Sequence, residues 1–226
     1  MELSLHSNPG LHEHLLHRVS ALPLDTPVMD LGCGSRDWLV RLADHGFLNL
    51  LGVDSESEAS YEAHGRVRFV RANLNEELEL GEARFGLITA IEVFEHLSNP
   101  ERLFDYAERY LSDSGLFLLT TPNIYSLRAR ARFLITSRMP FFEVESNTAP
   151  GHLHPLMLDP LLRVILKARE LEITKVWTHP EHGSDGTRWP LKLLERFMSL
   201  MLPNDLPGNS LCMLMRKRVV PAASAR

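Results

Sequence analysis

The sequence predicts an α/β fold in which a parallel sheet is joined by crossover helices. Short β-forming runs alternate with helical stretches from about residue 26 onward. The first of these runs leads through a glycine-rich turn into a helix, as ligand-binding α/β sheets do. The chain has 226 residues, 44% hydrophobic and 23% charged, which excludes fibrous and disordered classes. At about 150 residues per domain, we expect a single domain over 1–226.

An N-terminal helix is predicted within residues 1–25. Ser7 or Asn8 is a suitable N-cap, and Pro9 fits the first helical turn. Leucines and a valine recur on one side of this helix, which ends near Pro23. We divide the rest of the chain into a cofactor-binding half, 26–122, and an acceptor-side half, 123–226.

Strands and helices alternate through both halves. Asn99-Pro100 is a strong helix start, because Asn caps a helix and Pro fits its first turn, and Ser114-Gly115 ends that helix. The predicted strands are Val28–Leu31, Leu48–Val53, Val67–Val70, Phe85–Ile91, Leu116–Thr120, Leu171–Trp177 and Leu211–Met215. The other predicted helices are Trp38–His45, Glu56–His64, Pro122–Phe133, one from Asp159-Pro160 and one over 188–202, with an irregular insertion over 133–155.

Charge and cysteine content narrow the function classes. Lys and Arg number 24 against 29 Asp and Glu, so the net charge of −5 disfavours a general nucleic-acid binder and leaves only a local basic patch open. Two cysteines are too few for a disulfide framework and favour a reducing, cytoplasmic setting. No apolar run approaches 18 residues, and no signal peptide is evident, so we expect no transmembrane segment.

The strongest site signal is the stretch Val28–Ser35, which reads VMDLGCGS. A buried strand enters a glycine turn there, and glycines let a ligand approach the backbone at the carboxyl end of the strand. The second strand ends in Asp54, where a carboxylate can accept hydrogen bonds from a ribose diol or can cap the next helix. An NAD-binding loop would need glycine at position 37, but Asp37 stands there and would repel a pyrophosphate.

These motifs resemble those of class I methyltransferases that use S-adenosylmethionine. The resemblance implies a Rossmann-like, doubly wound sheet of seven strands, mostly parallel with an antiparallel last strand and helices on both faces. It also implies that Asp30 and the Gly32-Cys33-Gly34 loop line the methionine end of S-adenosylmethionine and that Asp54 holds the ribose. Asn73 and Leu74 fall where the family contacts adenine.

Two positions depart from the family pattern. Arg36 stands where many members have a third glycine, so the loop is tighter there or the arginine points outward. Asn73 replaces the usual acid, and its amide oxygen can accept from the adenine amine but carries no charge.

Glu92, Glu95 and His96 follow the fourth strand within one turn. Glu92 is placed to contact the cofactor, and His96 is the candidate general base for an acceptor hydroxyl. Carboxylate and imidazole groups at this spacing can also hold a divalent ion such as Mg²⁺. A purely structural role for the three residues is the alternative.

The segment is also similar to ubiquinone-pathway O-methyltransferases and to enzymes that methylate the 3′-terminal 2′-hydroxyl of small RNAs. That resemblance implies Glu92, Glu95 and His96 as metal ligands, with His152 or, as the preferred candidate, His154 completing the set.

The acceptor side resembles a bacterial subgroup of these methyltransferases found with surface-polysaccharide or lipid-linked pathways. Arg128 and Arg132 share a helical face and can bind a phosphate-bearing acceptor or RNA, or can simply be solvated. The apolar face of Leu191–Leu202 can cover the site, pair with a second subunit as a homodimer, or lie on a membrane.

We therefore expect methyl transfer from S-adenosylmethionine to a small-molecule acceptor or a lipid- or saccharide-linked one, at oxygen. Two alternatives are a non-catalytic, cofactor-binding regulatory domain, which the departures at Arg36 and Asn73 suggest, and an NAD-type oxidoreductase.

Overall fold

A computed structural model describes residues 9–55, 67–142, 151–179 and 206–218. Within these residues, seven strands form one sheet in the order β3-β2-β1-β4-β5-β7-β6. The strands are β1 (Val28–Leu31), β2 (Leu50–Asp54), β3 (Val67–Arg71), β4 (Phe85–Ile91), β5 (Leu111–Pro122), β6 (Leu171–His179) and β7 (Ser210–Lys217).

The strand directions confirm the predicted α/β sheet. β1 pairs in parallel with β2 and β4, and β4 pairs in parallel with β5. β7 lies between β5 and β6 and is antiparallel to both, as the resemblance implied for the last strand. The chain moves outward from β1 to β3 and returns to the other side of β1 at β4. This reversal between β1 and β4 is where open α/β sheets bind their ligands.

Helices cover both faces of the sheet, so the core has two parts. Leu15 of the first helix and Leu39 of the second pack with Val28 on one face, whereas Phe104 of the third packs with Met29 on the other. The helices are α1 (Leu11–Val19), α2 (Asp37–His45), α3 (Arg102–Tyr110), α4 (Leu127–Thr136) and α5 (Leu158–Pro160), the last continued by a π-helical turn, Leu161–Ile165.

Two predicted boundaries near β5 are wrong. The structure ends α3 at Tyr110 and begins β5 directly at Leu111, because Leu111 pairs with Phe85 while Leu116 pairs with Leu87. The residues between them form a bulge that sequence reasoning took for the end of a helix.

The start of α4 also differs from the prediction. Pro122 still pairs with Ser210 in the sheet, and the Asn123 side chain accepts from the Tyr125 backbone N–H in a turn. The helix therefore begins at Leu127, with the Ser126 hydroxyl accepting from the backbone as its N-cap.

The first helix begins at Leu11 with Gly10 as its N-cap, so the predicted cap at Ser7 or Asn8 is wrong. Ser7 and Asn8 themselves, the predicted helix Glu56–His64 and the predicted helix over 188–202 lie outside the described residues. Among the described residues, none of the helices has the length and apolar character needed to cross a membrane.

Candidate active site

The glycine loop joins β1 to α2 at the strand-order reversal. Gly32 has φ +74°, and a Cβ atom there would lie 2.5 Å from a methyl group of Val93. Gly34 also has positive φ, and its backbone N–H donates to Oδ2 of Asp54 at 2.9 Å. The loop therefore requires glycine for its conformation and is tied to the end of β2.

Arg36 occupies the position of the missing third glycine and itself adopts a left-handed conformation, with φ +71°. It precedes α2, and its backbone N–H donates to the Cys33 carbonyl at 2.7 Å. The loop thus keeps the left-handed backbone geometry that glycine adopts without strain. Because Arg36 has a Cβ atom, this conformation costs about 1 kcal/mol or more.

A pocket lies beside this loop, and residues from α1, β1, α2 and the end of β4 line it. It brings together six predicted cofactor or catalytic residues, including Asp30, Glu92 and His96. Asp54, Asn73, Leu74 and Glu95 are not among the lining residues. The lining residues are His12, Asp30, Gly32, Cys33, Gly34, Ser35, Asp37, Trp38, Ile91, Glu92 and His96.

Five lining residues were assigned no binding role from the sequence: His12, Ser35, Asp37, Trp38 and Ile91. His12 is only 9% exposed, its ring lies 5.9 Å from that of Trp38, and burial lowers its pKa, with Arg41 adding to the effect. The sequence did contain a signal that His12 is buried. His12, Leu15 and Val19 follow one another at helical spacing and form the buried side of α1.

Asp30 is held at the pocket by a buried chain of hydrogen bonds. The Thr89 hydroxyl donates to Oδ1 of Asp30 at 2.6 Å and accepts from Nε1 of Trp38 at 3.2 Å. Burial raises the pKa of Asp30 to about 7, with the charge of Asp54 adding to this and the Thr89 hydrogen bond opposing it. Asp30 therefore holds a proton to higher pH than an exposed aspartate does.

Glu92 lies at the end of β4 with φ +53°, a strained conformation for a non-glycine residue. Its backbone N–H bonds to Thr120, and its Oε1 accepts from the Thr120 hydroxyl at 3.0 Å. Burial raises the pKa of Glu92 to about 7, although hydrogen bonds from Thr120 and Ser210 oppose the shift. Glu92 thus lines the pocket beside the glycine loop while its carboxyl group is bound by hydroxyl groups of β5 and β7.

Glu95 lies in the short 3₁₀ helix Phe94–His96 and is fully buried. Its Oε2 accepts from the Thr121 hydroxyl at 3.1 Å, whereas its Oε1 has no hydrogen-bond partner among the described residues. Burial, with the nearby charge of Glu92, raises the pKa of Glu95 well above its ordinary value. A buried carboxyl oxygen without a partner is costly, so this group is suited to a ligand that is not a protein residue.

Two imidazoles face Glu95. His96 places Nδ1 3.0 Å from the Gly151 carbonyl, and His152 places Nδ1 2.7 Å from the Phe141 carbonyl. The ring centroids are 4.7 Å apart, and one potential ligand atom from each of the two rings and from Glu95 lies within 4.8 Å of the others. Because a carbonyl only accepts, both rings carry their proton on Nδ1 in these bonds, which leaves Nε2 as the basic atom.

This geometry differs from the predicted metal set. His152 joins Glu95 and His96, while His154 contributes a backbone N–H to the Glu95 carbonyl at 3.3 Å. Neither His154 nor Glu92 belongs to the three-residue group among the described residues. Whether His152 or His154 reaches Glu95 depends on the path of the loop that carries both histidines. The sequence of this loop has no periodicity from which that path could be predicted.

Asn73 lies two residues after the end of β3 and is exposed. Its side-chain amide donates to Oε1 of Glu76 at 2.8 Å, and its Oδ1 accepts from the backbone N–H of Asn75 at 3.1 Å. Leu74 beside it is 6% exposed and belongs to the core. Asn73 thus forms a local turn in addition to any role toward a ligand.

Comparison with known proteins identifies the family. A family model described as a methyltransferase domain matches residues 5–176. Because the match covers well over half of the chain, the chain belongs to this family of methyltransferase domains.

A search among individual proteins finds a relative that matches only part of this chain. A probable S-adenosylmethionine-dependent methyltransferase of Mycolicibacterium smegmatis is 29% identical over 116 residues, which are 50% of this chain and 44% of that protein. The match thus spans less than half the length of that relative.

Solved structures share the fold. The S-adenosylmethionine dependent methyltransferase from Mesorhizobium loti superposes with a TM-score of 0.60 at 20% identity, covering 92% of this chain and 99% of that one. The CcbJ methyltransferase from Streptomyces caelestis gives 0.63 at 15% identity, covering 94% and 91%. Identities this low establish a common architecture, and function has to be argued from the site.

Proposed function

We propose that this chain transfers the methyl group of S-adenosylmethionine to an oxygen atom of an acceptor. The observation that carries the proposal is the lining of the pocket at the strand-order reversal. A glycine loop and three acidic residues, Asp30, Asp37 and Glu92, line it together. Bound S-adenosylmethionine supplies a methyl group on a cationic sulfonium. A pocket rich in carboxyl groups favours such a cation and disfavours the pyrophosphate of a dinucleotide, which weakens the NAD-type alternative.

The chain's own residues fit this cofactor. Gly32 and Gly34 form a wall without side chains, so a ligand can lie against the backbone. Asp54 holds the loop through Oδ2, and we assign its Oδ1 to the ribose hydroxyls. Cys33 lines the same wall, and we assign Asn73 and Leu74 to the adenine end.

His96 is the proposed base. Its Nδ1 donates to the Gly151 carbonyl, which holds the ring in one orientation and makes Nε2 the atom that takes a proton from an acceptor hydroxyl. His96 lines the same pocket as the glycine loop, so we place the acceptor hydroxyl between the cofactor and the imidazole. The acceptors that we propose are small molecules, including lipid- or sugar-linked ones.

A second candidate role for His96 is metal binding, together with Glu95 and His152. The observation that favours it is Oε1 of Glu95, which is buried without a hydrogen-bond partner among the described residues beside two imidazoles. A divalent ion at this point would polarise an acceptor oxygen. Two nitrogens and one oxygen fit a transition metal such as Mn²⁺ or Zn²⁺ better than Mg²⁺, which prefers oxygen ligands.

The test of the proposed reaction uses methyl-labelled S-adenosylmethionine with hydroxyl, amine and RNA acceptors. We expect label to enter hydroxyl acceptors. His96→Gln should abolish turnover and leave S-adenosylhomocysteine binding unchanged, whereas His45→Gln, an exposed residue at the end of α2, should change neither. Cofactor binding with no product from any acceptor would instead favour the non-catalytic regulatory domain.

The metal is tested separately by titrating chelator-treated protein with MnCl₂, ZnCl₂ or MgCl₂ in a calorimeter. Binding that His152→Ala abolishes and His154→Ala preserves would support the three-residue site. If no ion binds and full activity survives chelation, the metal role is wrong and His96 acts as the base alone.

A further inference from the structure

Asp30 and Thr89 lie side by side on the two strands that flank the strand-order reversal. Asp30 on β1 and Thr89 on β4 are partners in the parallel register, and they are only 3% and 0% exposed. Among the described residues, the Thr89 hydroxyl forms the one hydrogen bond to the Asp30 side chain. A buried carboxyl group with a single hydroxyl partner is costly to ionise, so this arrangement is more typical of a ligand site than of a core.

Trp38 fixes the direction of that hydrogen bond. Its Nε1–H can only donate, and it donates to the Thr89 oxygen at 3.2 Å. The single proton of the Thr89 hydroxyl then has two acceptors within reach, Oδ1 of Asp30 at 2.6 Å and the Met29 carbonyl at 3.5 Å. Because the bond to Asp30 is much shorter, Oδ1 accepts from Thr89, and Oδ2 is the oxygen that remains for a ligand in the pocket that Asp30 lines.

We propose that Trp38 and Thr89 are positioning residues for the cofactor. They hold Oδ1 of Asp30, and Oδ2 binds the ammonium group in the methionine part of S-adenosylmethionine. The inference rests on the proposed methyl transfer, because the ligand is the one assigned there. Thr89 is not among the residues that line the pocket, so it acts on the ligand through Asp30.

The same hydrogen bond favours the charged form of Asp30, which an ammonium group requires. Burial raises the pKa of Asp30 to about 7, with the charge of Asp54 adding to this, whereas the hydrogen bond from Thr89 opposes the shift. A cation that binds Asp30 selects the ionised carboxylate. We therefore expect the affinity for S-adenosylhomocysteine, which carries the same ammonium group, to rise with pH until Asp30 is ionised and then to level.

Other titratable residues line the same pocket and contribute to any pH profile. They come from α1, the glycine loop, α2 and the end of β4, and they are His12, Cys33, Asp37, Glu92 and His96. The Thr89 side chain does not titrate, and among the described residues it bonds only to Asp30, Trp38 and the Met29 carbonyl. A change at Thr89 thus isolates the contribution of Asp30 from that of the other groups.

The test is calorimetric titration of the full chain with S-adenosylhomocysteine between about pH 5.5 and about pH 8.5. Thr89→Val keeps the shape of the side chain and removes the hydroxyl. The pH at which affinity levels should therefore move up by about one unit, the effect of one hydrogen bond to a charged group. Affinity should fall about tenfold near the acidic end of this range and less than about twofold at the basic end, whereas a merely damaged fold would bind less at every pH.

Two further variants test the same hydrogen bonds. Thr89→Ser keeps the hydroxyl and should restore the wild-type profile. Trp38→Phe keeps an aromatic ring and loses the N–H, so protonated Asp30 can donate to the Thr89 oxygen. Its profile should also move to higher pH, and this variant decides the question if Thr89→Val does not fold.

Thr174→Val is the matched control variant. Thr174 is exposed on β6 at the edge of the sheet, and its hydroxyl donates to the Leu214 carbonyl at 3.0 Å. Its replacement should leave the pH profile unchanged. The control ligand is methylthioadenosine, which has the nucleoside and the sulfur but no ammonium group, so Thr89→Val should not change its affinity.

Failure of the positioning role and failure of the proposed function give different results. The positioning role is wrong, and the proposed function stands, if S-adenosylhomocysteine binds and Thr89→Val lowers its affinity equally at every pH or not at all. An equal effect of Thr89→Val on methylthioadenosine would overturn the positioning role as well. If S-adenosylhomocysteine does not bind the wild-type chain at any pH, the proposed function fails, and the contact with its ammonium group fails with it.

Discussion

The backbone N–H of Gly34 donates to Oδ2 of Asp54 at 2.9 Å, so two loops that start from neighbouring strands are tied together. This bond gives Asp54 two separable tasks, because one oxygen holds the glycine loop and the other is assigned to the ribose. A variant that keeps the first task and loses part of the second can tell them apart.

We expect Asp54→Asn to keep an oxygen for Gly34 and to weaken S-adenosylhomocysteine binding moderately, since the amide cannot accept on both sides. Asp54→Ala loses both oxygens and should weaken binding by about 100-fold or more, the effect of two lost hydrogen bonds. Calorimetric titration of the three proteins measures this. Equal affinity in all of them would remove Asp54 from the cofactor site.

Gly32 should tolerate no side chain. Gly32→Ala places a Cβ 2.5 Å from a methyl group of Val93 and also forces a left-handed conformation, so we expect a loss of about 2–4 kcal/mol in the free energy of unfolding. Gly81→Ala is the matched control, because Gly81 has φ +59° but open space around it, and should lose only about 1 kcal/mol. Urea unfolding measures both. Equal losses would mean that contact with Val93 is unimportant.

Asp30 should make the stability of the cofactor-free protein depend on pH. Its pKa rises from 3.8 when unfolded to about 7 when folded, so the folded state binds the proton more tightly. The contribution of Asp30 to stability is therefore fully present below about pH 4 and is lost as pH rises toward 7, by about 4 kcal/mol at most.

Asp30→Asn removes this titration and keeps an oxygen for the Thr89 hydroxyl, so its unfolding free energy should depend less on pH. Glu82→Gln, an almost fully exposed carboxylate, should leave the pH profile unchanged. Chemical unfolding from pH 4 to 8 makes the comparison. An unchanged profile in Asp30→Asn would show that this carboxyl group is ionised throughout.

His12 should contribute to cofactor binding from outside the sheet. Its buried ring lines the pocket and lies against Trp38, so we expect His12→Ala to weaken S-adenosylhomocysteine binding by about tenfold through lost packing. His17→Ala on the exposed side of the same helix should have no effect. If the two variants bind alike, α1 covers the pocket without touching the ligand.

Most strands of the sheet were predictable from the sequence, whereas the beginning of β5 and the place of β7 in the sheet were not. Val28–Leu31 and Phe85–Ile91 match their predictions residue for residue, because each is an apolar run bounded by turn residues. The bulge after Leu111 depends on pairing with β4, a partner distant in the chain, so local patterns read it as a helix end. The antiparallel direction of β7 came from the family resemblance alone, and its position between β5 and β6 was not predicted.

The candidate site was predictable where it follows strand ends. Asp30, Gly32 and Glu92 follow from that rule, since the carboxyl ends of parallel strands meet at one edge. His12 and His152 do not, because a helix and a loop from elsewhere in the chain bring them to the site. The raised pKa values of Asp30, Glu92 and Glu95 also could not be predicted, because they depend on burial, which the spacing of residues in the sequence does not show.

The measurement that tests the central claim most directly is calorimetric titration of the purified chain with S-adenosylmethionine, S-adenosylhomocysteine and NAD in parallel. We expect both sulfur compounds to bind in the micromolar range, near −8 kcal/mol, and NAD to give no heat. Binding of NAD alone, or of none of the three, would contradict the assignment of the pocket beside Gly32 and Asp54 to S-adenosylmethionine.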